Sequence, residues 1–338
     1  MTRKTIGLIL VLLLLTACGN DATQTPGLAS STPAPQISPT AAAPLVILVL
    51  PADISPRTSE AYQTLVYDLA QENGMRFQVR NSLSPEELQA ELPELKVVIS
   101  LPPDPGLAAL SAAAAGVQFL AVGIPGISAA SNLSIIGGAD QAVDKQAFLA
   151  GYISAMLASE WRVGLLTERE TPGGDAAWTA FENGYHYFCG YCRNPYFAQP
   201  YPSYPIVYRI PTDTPENEYT GWAAGLLDNY VKAAYIYSEV ATAEVIAYLA
   251  EYGVLLIGQD TPDEEVRDYW IASIQPDVLP AVQAIFPDLV AGIGGQIVST
   301  PLILTDVNED LLTEGKLRDA QAVLDGLLNG TIGTGVTP

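Results

Sequence analysis

The chain has 338 residues and a formal net charge of −22 at pH 7. This length exceeds the roughly 250–300 residues at which a single hydrophobic core stops growing, so two lobes are expected. The acidic charge repels phosphate backbones and anionic lipid headgroups, which argues against nucleic acid as a partner and against a basic membrane-binding surface.

The N-terminus has the pattern of a secretory signal. Arg3 and Lys4 precede an apolar run over residues 6–15, and small residues follow it before Cys18. Basic, apolar and small segments in this order are typical of exported proteins, and the run is shorter than the about 20 apolar residues of a membrane-spanning helix. Residues 1–17 are therefore predicted to be a signal peptide; the alternative is an uncleaved anchor helix.

The segment Leu15-Thr16-Ala17-Cys18 resembles the lipobox of bacterial lipoproteins. In that family the cysteine is acylated and the chain is cut before it, so the resemblance implies lipid at Cys18 and a location on the extracytoplasmic face of the cell membrane. Residues 18–44 contain one charged residue, Asp21, and no aromatic residue. Such a segment buries too little apolar surface to fold, and we predict a disordered tether.

From Leu45 onward, short apolar strands alternate with helices in two successive series. The first series predicts strands 45–50, 76–80, 96–101, 117–122 and 133–136 and helices 57–73, 84–92, 106–115 and 140–159. The second predicts strands 162–167, 206–210, 233–237, 254–257 and 270–274, an extended segment 296–304 and helices 175–188, 216–230, 242–252, 277–289 and 314–328. This alternation is typical of βαβ units, and two series indicate an α/β protein of two Rossmann-like lobes with parallel sheets.

The lobe boundaries follow from where the pattern restarts. We assign residues 45–160 and a return segment at about 276–295 to the first lobe. The second lobe then takes residues 161–275 and about 296–338. Ligands of open parallel sheets bind beyond the carboxyl ends of the strands, so the crevice between the lobes is the expected binding site.

Several short motifs follow one another along the chain: Val117–Gly123, Asn132–Gly138, Gln146–Tyr152, Val163–Gly164, Phe181–Tyr185, Ile257–Thr261 and Ile271–Pro276. Their succession resembles the basic membrane protein family of ABC-transporter substrate-binding lipoproteins, which has the fold of type I periplasmic binding proteins. The resemblance implies capture of a small polar ligand, a nucleoside or a sugar-like molecule, and its delivery to an ABC permease.

The resemblance places Asp260 in the binding site, because the family binds sugar hydroxyls with the carboxylate after this glycine-containing strand. A carboxylate suits the task, since it accepts charge-assisted hydrogen bonds from both hydroxyls of a diol. The alternative is a loop aspartate that caps segment 264–269. Gln275 is assigned a hydrogen-bonding role like that of the hinge glutamine of sugar receptors. The family's lysine after the serine matched by Ser273 is absent, which weakens the case for a nucleoside.

Further ligand-binding candidates lie at or near predicted strand ends. Asp53 and Ser55 match the family's first loop, although Pro56-Arg57 follows where the family has an aromatic residue and Asn; a helix cap is the alternative. Trp178 is expected to stack on a flat ring of the ligand, with core packing as its alternative. Asp104 and Glu239 also follow strands, and the alternative for both is a solvated loop residue.

Cys189 and Cys192 form a C-x-x-C pair at the end of the predicted helix 175–188. Redox-active pairs usually lie at helix N-termini, so a structural disulfide in an oxidising compartment is favoured over redox chemistry or half of a metal site. The single histidine, His186, and the lack of a G-x-S-x-G motif argue against a Ser-His-Asp hydrolase. Residues 306–310 resemble the opening of a calcium loop but lack its glycine and its final carboxylate.

The sequence therefore predicts a solute-binding protein with no cofactor, no metal and no enzymatic activity. Three other functions stay open. One is a module that senses a ligand for a membrane signalling receptor, and another is an enzyme that uses carboxylates in the crevice. The third is a degenerate pair of receptor lobes that binds no ligand and serves adhesion or scaffolding.

Overall fold

The computed structural model describes residues 42–52, 54–137, 142–190, 192 and 203–337. In chain order its strands are β1 (Leu45–Val49), β2 (Arg76–Arg80), β3 (Leu95–Ser100), β4 (Gln118–Val122), β5 (Leu133–Ile136), β6 (Val163–Glu168), β7 (Ile206–Ile210), β8 (Ala233–Ile236), β9 (Leu255–Gly258), β10 (Trp270–Pro276), β11 (Ile297–Val298) and β12 (Leu302–Thr305). Its α-helices are α1 (Pro56–Glu72), α2 (Pro85–Glu91), α3 (Leu107–Ala113), α4 (Val143–Leu157), α5 (Pro172–Cys189), α6 (Tyr219–Asp228), α7 (Ala243–Glu251), α8 (Val278–Val290) and α9 (Glu314–Leu328). Within this part of the chain, no helix has the length and apolar character to cross a bilayer.

The strands form two six-stranded sheets with equivalent strand orders. The first sheet runs β11-β5-β4-β3-β1-β2, and the second runs β12-β10-β9-β8-β6-β7. All neighbouring strands are parallel except β12, which is antiparallel to β10. The predicted class, an α/β protein with two Rossmann-like lobes, is confirmed, and the repeated order explains why the alternating pattern occurs twice.

Helices cover both faces of the first sheet. Along β1, Val46 and Leu48 belong to the core layer that includes α1 and α8, while Leu45 and Ile47 belong to the layer that includes α2 and α3. Successive side chains of a strand point to opposite faces. A continuous apolar run is therefore the expected sequence for a strand that is buried on both sides.

Local sequence signals determine where two of these helices begin. The predicted capping box is confirmed at α2, where Ser84 N donates to Glu87 Oε2 at 2.8 Å and Glu87 N donates to Ser84 Oγ at 3.2 Å. At α1, Pro56 occupies the first helical position, where its missing N–H leaves no hydrogen bond unmade. Both starts follow strands of the first sheet, so they hold the loops at its carboxyl end.

The helix predicted at 140–159 packs in the second lobe, whereas the sequence interpretation placed it in the first. This helix is α4, and it lies in the second-lobe core against α5. A Cβ atom on Gly184 would lie 1.9 Å from the Phe148 carbonyl oxygen, and one on Gly151 would lie 2.2 Å from that of Phe181. The two glycines let the helix backbones touch, which is a packing reason for glycine at these two motif positions.

The extended segment predicted at 296–304 is divided between the lobes. β11 pairs with β5 of the first sheet, and β12 pairs with β10 of the second. Three chain crossings therefore join the lobes, after β5, after β10 and between β11 and β12. The crossings lie side by side: a Cβ on Gly137 would lie 3.4 Å from Thr300 Oγ1, and Asp277 N donates to the Pro301 carbonyl at 2.9 Å. We call this triple crossing the hinge.

Candidate functional site

Polar side chains of the second-lobe strands, of the loops that follow them and of α4 form a set of contacting groups beside the hinge, which we call the cleft network. Arg57 of the first lobe contacts the cleft network, so this network lies where the two lobes meet. Its members are Gln146, Tyr235, Gln259, Asp260, Thr261, Ser273, Gln275, Thr305 and Asp306.

Asp260 follows β9 and presents an exposed carboxylate. Its backbone oxygen accepts a hydrogen bond from Ser273 Oγ at 2.7 Å, which holds the loop against β10. The surrounding protein desolvates the carboxyl group and raises its pKa, although the side chain stays accessible to solvent. No cation or hydrogen-bond donor among the described residues pairs with this carboxylate, so it is available to a ligand.

Gln259, the preceding residue, ties the end of β9 to the interior. Its side-chain nitrogen donates to Tyr235 Oη at 3.0 Å and to Gln146 Oε1 at 3.2 Å. Gln146 in turn donates to the Ile274 carbonyl at 3.1 Å. Tyr235 is fully buried, and burial raises its pKa. A buried polar network whose members have partners is rigid, so it holds Asp260 in place.

Asp306 follows β12 and is the most connected carboxylate of the network. Its side chain is only 3% exposed. One carboxylate oxygen accepts from Thr261 Oγ1 at 2.9 Å and lies 3.1 Å from Ser273 Oγ. The other accepts from Arg57 Nη1 at 2.8 Å. Because Arg57 belongs to α1, this ion pair bridges the two lobes.

Gln275 lies at the end of β10, next to the hinge. Its amide donates to Thr305 Oγ1 at 2.7 Å, which joins β10 to β12. Of the residues that the sequence predicted to bind a ligand, Asp260 and Gln275 are thus brought into one network.

Solved structures with the same architecture come from proteins of low sequence identity. An ABC-transporter solute-binding protein from Aeropyrum pernix K1 is similar over 88% of this chain and 93% of that one, with 16% identity and a TM-score of 0.55. A transcriptional activator of the comK gene from Bacillus halodurans covers 86% and 99%, with 10% identity and a TM-score of 0.56. A LacI-family regulator from Arthrobacter sp. FB24, in complex with lactose, covers 79% and 100%, with 15% identity and a TM-score of 0.50.

The fold is that of the type I periplasmic binding proteins. Identities of this size establish the fold alone. No protein-family model matches the chain, and no curated protein matches it significantly. Membership of the basic membrane protein family therefore stays a prediction.

The first-lobe candidates serve local structure where they are described. Ser55 Oγ accepts from the Thr58 backbone N–H at 3.1 Å and caps α1. One carboxylate oxygen of Asp104 accepts from two backbone N–H groups at the start of α3, at 2.9 and 2.8 Å. These contacts match the helix-cap alternative for Ser55 and show that Asp104 is engaged in its own loop. Asp53 lies outside the described residues.

Trp178 lies in the second turn of α5, because this helix begins at Pro172 rather than at residue 175 as predicted. The Arg209 guanidinium covers one face of its ring, 4.7 Å from the ring centre, and the ring also packs against the second-lobe core. These contacts match the core-packing alternative. Glu239 lies in a short turn after β8, close to Tyr219, whose pKa is raised first by burial and then by neighbouring carboxylates that include Glu239.

Cys189 and Cys192 are joined by a disulfide that closes the C-terminal end of α5. The bond lies at the end of the helix rather than at its positive N-terminus, where thiolates are stabilised. Cys18 and the lipobox lie outside the described residues.

Sequence reasoning missed the residues that connect the site. Asp306 follows the predicted extended segment 296–304, but it was considered only as the start of a calcium-like loop, which was set aside. Arg57 was noted only as a departure from the family's first loop. Gln146 lies in one of the resemblance motifs, and its polar side chain in a buried helix was the signal that could have assigned it to the site.

A groove of about 530 Å³ lies between α6 and α7 of the second lobe. Small residues and two carboxylates line it, including Gly221, Ala224, Glu244 and Glu251. It contains no member of the cleft network, and none of the sequence-predicted site residues.

Proposed function

We propose that this chain is an extracytoplasmic, lipid-anchored solute-binding protein that captures a small polar ligand between its lobes and delivers it to an ABC transporter. One observation carries the proposal. Asp260 presents a desolvated carboxylate beside the hinge that has no partner among the described residues, on a loop that the interior hydrogen-bond network holds in place. Uncompensated desolvation of a carboxylate is relieved when a ligand supplies hydrogen-bond donors.

The ligand class that fits best is a molecule with vicinal hydroxyls, a sugar or a nucleoside. The Asp260 carboxylate accepts hydrogen bonds from two hydroxyls, and the part-exposed Gln275 amide next to the hinge supplies neutral hydrogen bonding. A ligand that contacts both lobes shifts the population toward the closed state, because it binds that state more tightly than the open one. The three crossings at the hinge allow this closure with few backbone changes.

A thermal-shift screen of the purified chain against sugars, nucleosides and amino acids tests the capture step. At a hundredfold excess over Kd a true ligand adds about 2.7 kcal/mol to the free energy of unfolding. Asp260→Ala should remove this response. Asp268→Ala is the matched control, because it removes an exposed carboxylate outside the cleft network and should leave the response intact. If Asp260→Ala responds like the wild type, the site is wrong.

Anchoring and delivery need separate experiments. Cys18→Ser should abolish incorporation of labelled fatty acid and release the protein from membranes. Delivery predicts that the membrane-bound protein cross-links to an ABC permease. Cross-linking to a signalling receptor instead would favour the sensing alternative, and conversion of a bound ligand into a product would favour the enzyme alternative.

A further inference from the structure

The contact between Arg57 and Asp306 joins residues 249 positions apart and crosses between the lobes. The other ion pairs that the described residues form with one another stay within a lobe, for example Arg76 with Glu94 in the first. The two partners of the crossing pair differ in burial, since the Arg57 side chain is 66% exposed and that of Asp306 is 3% exposed. The exposed arginine thus reaches over to a buried carboxylate.

A buried carboxylate depends on its partners, because removal of one leaves an uncompensated charge in a low-dielectric environment. When the lobes separate, Asp306 loses Arg57 and keeps the hydroxyls of Thr261 and Ser273 and the Arg267 guanidinium at 3.8 Å. The closed arrangement therefore has one more charge-assisted hydrogen bond than the open one. This difference favours closure without any ligand.

Asp306 also acts on the binding loop. It accepts from Thr261, which is adjacent to Asp260, and the Ser273 hydroxyl lies between Asp306 and the Asp260 backbone oxygen. A change at the Asp306 carboxylate thus reaches the Asp260 loop by two routes: the hydrogen bond from Thr261, and the Ser273 hydroxyl, which contacts both Asp306 and the Asp260 backbone oxygen.

We infer that Asp306 is a positioning residue and that its ion pair with Arg57 is a latch between the two lobes. Lobe closure and the placement of the Asp260 loop are coupled through this carboxylate. The link to ligand capture rests on the proposed function, whereas the latch exists with or without a ligand.

Small-angle X-ray scattering of the ligand-free full chain measures the open and closed populations. Arg57→Gln should raise the ratio of open to closed protein by about fivefold, the upper range for an ion pair with one exposed partner. Arg57→Lys keeps the charge and should restore most of the closed population. Arg76→Gln is the matched control, because it breaks an exposed ion pair inside the first lobe and should leave the ratio unchanged.

Hydrogen exchange at the backbone amides of 259–261 tests the coupling. The exchange should be faster in Arg57→Gln than in the wild type, and Asp306→Asn should produce the same change. The latch would be overturned if Arg57→Gln gave the same scattering profile as the wild type. It would also be overturned if Arg76→Gln raised the ratio of open to closed protein as much as Arg57→Gln does. Unchanged exchange in an opened Arg57→Gln variant would overturn the coupling. None of these measurements uses a ligand, so failure of the proposed function is detected separately by the thermal-shift screen.

Discussion

Gly184→Ala inserts a methyl group where α4 and α5 touch. The new Cβ would lie 1.9 Å from the carbonyl oxygen of Phe148 and 2.7 Å from its carbonyl carbon. Both atoms are backbone, so no side-chain rotation relieves the clash, and the helices must separate by roughly 1 Å or more to reach ordinary van der Waals distances. Overpacking of a core costs about 1–3 kcal/mol or more, and the better helix propensity of alanine offsets up to about 1 kcal/mol. Because both clashing atoms are backbone, the cost lies at the upper end of this range, about 3 kcal/mol, and we expect a net loss of about 2 kcal/mol in the free energy of unfolding.

Urea denaturation monitored by circular dichroism measures this loss. Gly221→Ala is the control, because Gly221 also lies in a helix, α6, but a Cβ there would meet no atom within 4 Å. That variant should be as stable as the wild type or more stable by up to about 1 kcal/mol. If both variants change stability equally, or if Gly184→Ala is neutral, the backbone contact between the helices is not as close as described.

Two further predictions concern the cleft and the first lobe. Asp260→Asn should stabilise the ligand-free protein at pH 7. The pKa of this carboxyl group is raised in the folded state, so its ionisation lowers the stability of the folded protein at pH values above the raised pKa. This cost disappears below the unfolded-state pKa of about 3.9. The stability that Asp260→Asn adds at pH 7 should therefore vanish when the urea titration is repeated at lower pH. Asn132→Ala should lower the free energy of unfolding by about 2–3 kcal/mol in the same assay. The buried Asn132 amide nitrogen lies 2.9–3.1 Å from the carbonyl oxygens of Ser111, Ala114 and Val117, and these carbonyls lose their donor in the variant. A loss below about 1 kcal/mol would show that water replaces the amide.

Part of the candidate site could be predicted from the sequence. The resemblance to the basic membrane protein family selected Asp260 and Gln275, and the structure places them near the ends of β9 and β10. The same resemblance selected Ser55, and a strand-end position selected Asp104, but the side chains of both bond to backbone N–H groups at helix starts. A strand-end position shows where a side chain lies along the sheet, but it does not distinguish a ligand contact from a cap.

The sequence by itself determined the α/β class, the two series of strands and helices and the capping box of α2, because these features depend on local periodicity and local hydrogen bonding. Only the tertiary structure decided that α4 belongs to the second lobe and β11 to the first, the reverse of the predicted assignment. A helix or strand has the same periodicity whichever core it joins. The Arg57–Asp306 contact likewise depends on the fold, because both lobes must be assembled before a guanidinium in α1 can reach a carboxylate after β12.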